Sequence, residues 1–97
     1  MEPIDRGLIE QLIDGQLSDD ILIESINNWK VRKRMGLIDS VKSAVIGQMF
    51  GEVLIYYAHI LVGRKENIDE EKLKEIDEIF SRRSFEIISK INELINL

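Results

Sequence analysis

The chain has 97 residues, with 13 Lys and Arg against 18 Asp and Glu and a formal net charge of −5. This length suits a single helical domain over residues 1–97 with one core, and the acidic balance argues against general affinity for nucleic acid. The absence of cysteine excludes disulfides and thiolate metal sites. The N-terminal residues lack the basic and apolar regions of a signal peptide, so we expect a cytoplasmic protein.

Starts and stops of helices can be read along the chain. Each start is a short polar side chain that can accept a hydrogen bond from the free amides of a first turn: Asp5, Ser18, Asp39 and Asp69. Each stop is a glycine that can adopt the left-handed conformation after a last turn: Gly15, Gly36 and Gly63. Together these signals predict helices over residues 5–14, 19–35, 40–62 and 70–96.

The fourth predicted helix contains an irregularity. Its apolar stripe is interrupted at Ser81-Arg82-Arg83-Ser84, which leaves open a bend, a break into two helices, or a buried arginine. No alternating β-branched and polar run is bounded by turns, so no strand is expected. The sequence therefore predicts an all-α, single-domain bundle of four to five helices around a central apolar helix, about residues 40–62.

The central helix is apolar on nearly every side. From Ala44 to Val62 the run is interrupted only by Gln48, Glu52 and His59. Such a helix must be buried on nearly every side, in a bundle, an oligomer or a bilayer. Nineteen residues would just span a bilayer, but Glu52 lies near the middle, where a charge is most costly. We therefore favour the centre of a bundle over a membrane span.

One chain supplies too little cover for this helix. At about 1.5 Å per residue, the first two predicted helices are roughly 15 and 25 Å long, against roughly 35 Å for the third. A second copy of the chain is the simplest cover. We predict a homodimer whose seam is a line of small residues on the third helix that lets two backbones approach: Ala44, Gly47, Gly51 and Ala58. The alternative is that the glycines admit another helix of the same chain.

Polar residues on the central helix form a second candidate site. They share one face, at helical spacing: Gln48, Glu52, Tyr56 and His59. A carboxylate, a phenol and an imidazole could transfer protons or bind a metal, but the Glu-x-x-His spacing of bundle metal sites is missing. A solvated stripe is the simpler interpretation, or an ion pair of Glu52 with Arg83 or Arg82. We expect no catalytic group, metal or cofactor.

The end of the second helix is strongly basic and carries an aromatic side chain: Trp29, Lys30, Arg32, Lys33 and Arg34. This combination is typical of a nucleic-acid contact. The helix dipole also favours cations at this end, which is a structural reason for the same residues. A groove formed by Trp29, Val31, Met35 and the second half of the fourth helix is a candidate site for a protein partner.

The sequence alone therefore favours a non-enzymatic helical interaction or assembly module that forms a homodimer, with its partner unknown. The alternative is a nucleic-acid-associated protein that uses the basic end of the second helix. A third hypothesis is a small enzyme built around Glu52, Tyr56 and His59.

Overall fold

The computed structural model describes residues 1–96, and within this part of the chain all regular structure is helical. The five helices are α1 (Pro3–Gln16), α2 (Asp19–Arg34), α3 (Val41–Gly63), α4 (Glu70–Arg82) and α5 (Ser84–Leu94). The predicted all-α bundle with a central apolar helix is thus confirmed, with α3 packed against α1, α2 and α5.

Helices α1 and α2 follow one another along α3 and run antiparallel to it; we call them the first track. The carboxylate of Asp5, near the start of α1, accepts a hydrogen bond from Tyr57 near the end of α3. The indole of Trp29, late in α2, donates to Gln48 in the first half of α3. Two short helices therefore cover the length of α3 that neither would cover alone.

Helices α4 and α5 form a second track, again antiparallel to α3. Phe80 at the end of α4 packs on Phe50 with ring centroids 4.8 Å apart. Further along this track Asn92 of α5 accepts a hydrogen bond from Lys42 at 3.4 Å. The molecule is consequently a bundle of three rods, two of them interrupted, and it measures 42 × 24 × 21 Å.

The core is centred on a stripe of α3 in which every fourth residue is buried: Val41, Val45, Met49, Val53, Tyr57 and Leu61. Four residues are slightly more than one helical turn, so each step rotates the stripe by about 40°. The stripe therefore winds around α3 as it rises. Aliphatic residues of the two tracks fill the space against it, among them Ile9, Ile13, Leu22, Ile26, Ile76, Ile87 and Ile91.

Two of the four predicted helix starts are correct in position. Asp69 caps α4 by accepting a hydrogen bond from the backbone amide of Lys72 at 2.8 Å. Ser18 immediately precedes α2, but its side chain forms no capping hydrogen bond. Ser40, not Asp39, caps α3. Asp5 does not cap α1, because that helix already begins at Pro3 and the Asp5 side chain is buried.

Only one of the three predicted glycine stops has the expected conformation. Gly36 has φ +77°, and the amide of Leu37 bonds back to the carbonyl of Arg32, which is the Schellman arrangement. Gly15 lies inside α1. At the end of α3 the left-handed residue is Lys65, with φ +60°, rather than Gly63.

The interruption in the fourth predicted helix is a break into two helices. Arg83 lies between α4 and α5, and the Ser84 hydroxyl donates to the carbonyl of Ser81 at 2.8 Å. The side chain of Arg83 is only 11% exposed. Of the alternatives left open by the sequence, the structure has the break, and the arginine at the break is largely but not fully buried.

The left-handed backbone at Lys65 generates a stability prediction. A side chain with a Cβ is strained in this region, whereas glycine is not. We expect Lys65→Gly to raise the free energy of unfolding by about 1 kcal/mol and Gly36→Ala to lower it by a similar amount. Urea denaturation of both variants checks the pair. A loss of stability in Lys65→Gly would contradict the assigned helix end.

Candidate functional site

One side of α3 is covered by neither track; we call it the open face. On an ideal helix, seven residues fall within about 100° of arc on this side: Ala44, Gly47, Gly51, Leu54, Ile55, Ala58 and Val62. None of the seven has a polar side chain, and none is fully buried, although four are half-buried and Leu54 also packs against the edge of the core. Since the outward side of a helix in a monomeric protein is normally polar, the open face lacks the cover that its composition requires.

The predicted seam of Ala44, Gly47, Gly51 and Ala58 lies within the open face. A Cβ built on Gly47 or Gly51 would meet no neighbouring atom of residues 1–96 within 4 Å. The alternative that these glycines admit another helix of the same chain is therefore wrong. Larger side chains also project from this face into solvent, with Ile55 67% and Val62 70% exposed.

An apolar cleft of about 600 Å³ adjoins the open face on the side of the second track. Gly47 belongs to both surfaces, and Ile46, Phe50, Phe80 and Ile88 line most of the cleft. Phe85, next in sequence to Ser84 of the cleft lining, is 84% exposed, more than any other large hydrophobic residue in the described chain. The apolar surface thus continues from α3 onto α5.

Helix α3 is long and apolar enough to cross a membrane by length and composition. In an apolar stretch of 18 residues within this helix, only 28% of the residues are buried inside the fold. Core helices of soluble proteins pass the same length and composition test, and they are mostly buried. Burial of α3 is thus incomplete, in agreement with the open face.

The polar stripe on α3 divides between two environments. The amide oxygen of Gln48 accepts hydrogen bonds from Ser25 at 2.8 Å and from Trp29 at 2.6 Å, so this residue joins α3 to α2. Glu52 and Tyr56 line, together with Gln48, a cleft against α2. His59 is exposed. Within residues 1–96 the four side chains form no hydrogen bonds with one another.

The predicted ion pair of Glu52 with Arg83 or Arg82 is not formed. Arg83 instead binds Asp14 at 2.6 Å and Glu86 at 2.9 Å, and it also contacts Glu10. Arg82 is likewise bound to Glu10. Both arginines join the α4–α5 junction to α1, because this part of the second track lies beside the first track.

The basic residues at the end of α2 differ in their surroundings. The guanidinium of Arg32 lies over the ring of Trp29, 4.7 Å from its centroid, and the indole N–H of Trp29 is bound to Gln48. Lys30 is half-buried, whereas Lys33 and Arg34 are exposed. Trp29 is therefore engaged within the fold, while the cations around it remain available to a ligand.

A buried polar cluster at the other end of α3 was not predicted. Asp5 is 3% exposed and accepts hydrogen bonds from the Tyr57 hydroxyl at 2.8 Å and from Arg64 at 2.9 Å. The bond from Arg64, reinforced by that from Tyr57, holds the pKa of Asp5 below its usual value, although burial opposes the shift. Burial and the Asp5 carboxylate raise the pKa of Tyr57. The cluster is internally satisfied and fastens α1 to α3.

Comparison with known proteins gives no functional information. The chain matches no family model, no curated protein and no solved structure. Among residues 1–96, no three His, Asp or Glu side chains converge to hold a metal ion. The candidate site is accordingly defined by the open face of α3 and the apolar cleft beside it.

The Asp5 cluster predicts a pH-dependent loss of stability. Folding lowers the pKa of Asp5. At a pH between its pKa in the folded chain and its pKa in the unfolded chain, the unfolded chain therefore binds more protons. The contribution of this carboxylate is therefore present near neutral pH and is lost as the pH falls below about 4. We expect Asp5→Asn to cost about 1–3 kcal/mol at pH 7, and this difference from the unmodified protein to shrink in acid.

Urea denaturation at several pH values measures this difference. Asp20→Asn is the matched control, because Asp20 is exposed on α2 and forms no ion pair within the described chain; it should change the unfolding free energy by less than about 0.5 kcal/mol. A cost of Asp5→Asn that stays constant down to about pH 3 would show that the carboxylate does not titrate as described.

Proposed function

We propose that this chain is a non-enzymatic assembly module that forms a homodimer through the open face of α3. The observation that carries the proposal is the glycine line of that face, which lies uncovered although its surroundings are apolar. A close approach of two backbones needs such small residues. A second copy of the chain offers the same surface, as a two-fold interface requires.

The size of the molecule supports this assignment. The largest face of the molecule measures 42 × 24 Å and so has a projected area of roughly 1,000 Å². An interface of standard size buries about 800 Å² of each partner. The open face alone is narrower than this. The adjoining cleft and the exposed Phe85 and Ile88 add apolar surface on the side of α5, so a two-fold interface would include residues of both α3 and α5.

The other two hypotheses from the sequence have weaker support. An enzyme built on Glu52, Tyr56 and His59 would need these side chains to converge, and they are spread along α3 without mutual hydrogen bonds among residues 1–96. A nucleic-acid contact was predicted to use Trp29 for stacking. The ring of Trp29 is instead covered by Arg32, so that interaction would rest on the cations alone.

Size-exclusion chromatography with light scattering tests the proposal. We expect a mass of twice 11.3 kDa and a melting temperature that rises with protein concentration, because association stabilises the folded chain. Gly51→Leu should weaken dimerisation at least about tenfold, since the new side chain separates the two helices at the centre of the interface. A Cβ at this position meets no neighbouring atom of residues 1–96 within 4 Å, so the variant should stay folded by circular dichroism.

Gly15→Leu is the matched control, because Gly15 is also helical, lies outside α3 and has open space around its Cα. This variant should dimerise like the unmodified protein. A monomeric unmodified protein would overturn the proposal. So would a Gly51→Leu variant that keeps the dimeric mass, because the seam as described could not then be the interface.

A further inference from the structure

The cations of the chain fall into two groups. Six of the 13 Lys and Arg residues take part in ion pairs within the fold: Arg6, Arg64, Lys72, Arg82, Arg83 and Lys90. Of the seven that form no ion pair within residues 1–96, five lie at the end where α2 stops and α3 starts. We call these five the basic pole: Lys30, Arg32, Lys33, Arg34 and Lys42. This local charge stands out in a chain of net charge −5.

Part of the basic pole is concave. A cleft of about 600 Å³ is lined by Lys30, Lys33, Arg34 and Lys42, together with Ser40 and Asn96. Among the described lining residues, Asp39 is the one with a carboxylate side chain. Four cations against one anion favour a negatively charged ligand at this end of the molecule.

Exposed apolar side chains project from the same end. Met35 is 67% exposed, Leu37 66% and Val31 45%. Met35 and Leu37 flank Gly36, whose left-handed backbone and Schellman bonds fix the turn after α2. The turn thus presents two apolar side chains directly beside the basic pole, and neither of them is used in the core.

We propose that the basic pole docks on an anionic lipid surface, with Lys and Arg at the phosphate headgroups and Met35 and Leu37 inserted at the acyl boundary. Charge and apolar exposure both fit this ligand, because peripheral lipid contacts combine cations with a few inserted hydrophobic residues. The contact is peripheral and differs from a membrane span by α3. It uses no residue of the open face and is independent of dimerisation.

A nucleic-acid backbone would satisfy the cations but not the apolar part of this surface. Phosphates of a nucleic acid bind Lys and Arg, whereas they offer nothing to exposed Met and Leu side chains at the tip of a turn. Base stacking is not supported either, because Arg32 occupies a face of Trp29. The apolar residues of the turn therefore distinguish the two ligands.

Co-sedimentation with vesicles tests the proposal. The full chain should bind phosphatidylcholine vesicles that contain phosphatidylglycerol and should not bind pure phosphatidylcholine vesicles. Replacing two cations in Lys33→Gln/Arg34→Gln should weaken binding at least about tenfold, at roughly 1 kcal/mol per cation near a charged surface. Met35→Ser/Leu37→Ser should also weaken binding at least about tenfold, although the charge is unchanged.

Lys65→Gln/Lys74→Gln is the matched control. This double variant also removes two positive charges. Lys65 and Lys74 form no ion pair in the described chain and lie outside the basic pole, so the variant should bind vesicles like the unmodified protein. All these side chains are exposed or at the surface, and circular dichroism should show that each variant stays folded.

Two results would overturn the proposal. One is absence of binding to the anionic vesicles at about 0.1 M NaCl, where charges still interact over roughly 10 Å. The other is vesicle binding that Met35→Ser/Leu37→Ser leaves unchanged. Short single-stranded DNA, measured by fluorescence anisotropy, identifies the competing ligand. Tight DNA binding without vesicle binding would assign the basic pole to a nucleic acid.

Discussion

Helix α3 needs apolar cover around most of its circumference, and the arrangement of the other helices follows from this need. Its buried residues recur at every fourth position, so the buried stripe turns by roughly 200° between Val41 and Leu61. A single straight helix could not follow such a stripe. Two tracks of two short helices each do so, and the arc that they leave uncovered is the open face. The open face is therefore a geometric consequence of the spacing, and the proposed dimer rests on it.

The two tracks share the apolar core and are also joined by ion pairs at the surface away from α3. Arg6 binds Glu75, the arginines at the α4–α5 junction bind Glu10 and Asp14, and Lys90 binds Asp19 at 2.7 Å. Exposed ion pairs contribute little free energy singly, but pairs at successive levels fix which part of one track lies beside the other. The surface is thereby divided between a charged side, where the tracks meet, and an apolar side on α3.

The helices, the central position of α3 and most of the core could be predicted, because apolar periodicity and capping residues are local signals. The misplaced features depend on tertiary structure. Asp5 resembles a cap, yet it is buried because Tyr57 and Arg64 reach it from the far end of α3. The sequence predicted an ion pair of Glu52 with Arg83 or Arg82, but helix positions do not fix the direction of a side chain, and Arg83 faces α1. The seam residues were identified by their small size, whereas their exposure required the structure.

Cysteine cross-linking along the open face tests the account most directly, since the chain has no cysteine of its own. Single cysteines at Ala44, Gly47, Gly51 and Ala58 can form a disulfide only where two copies bring their Cα atoms within about 7 Å. The account predicts rapid cross-linking at one or more of these positions under mild oxidation, and only slow cross-linking at the exposed Asn27 of α2. Cross-linking at all four positions no faster than at Asn27 would contradict a dimer through α3.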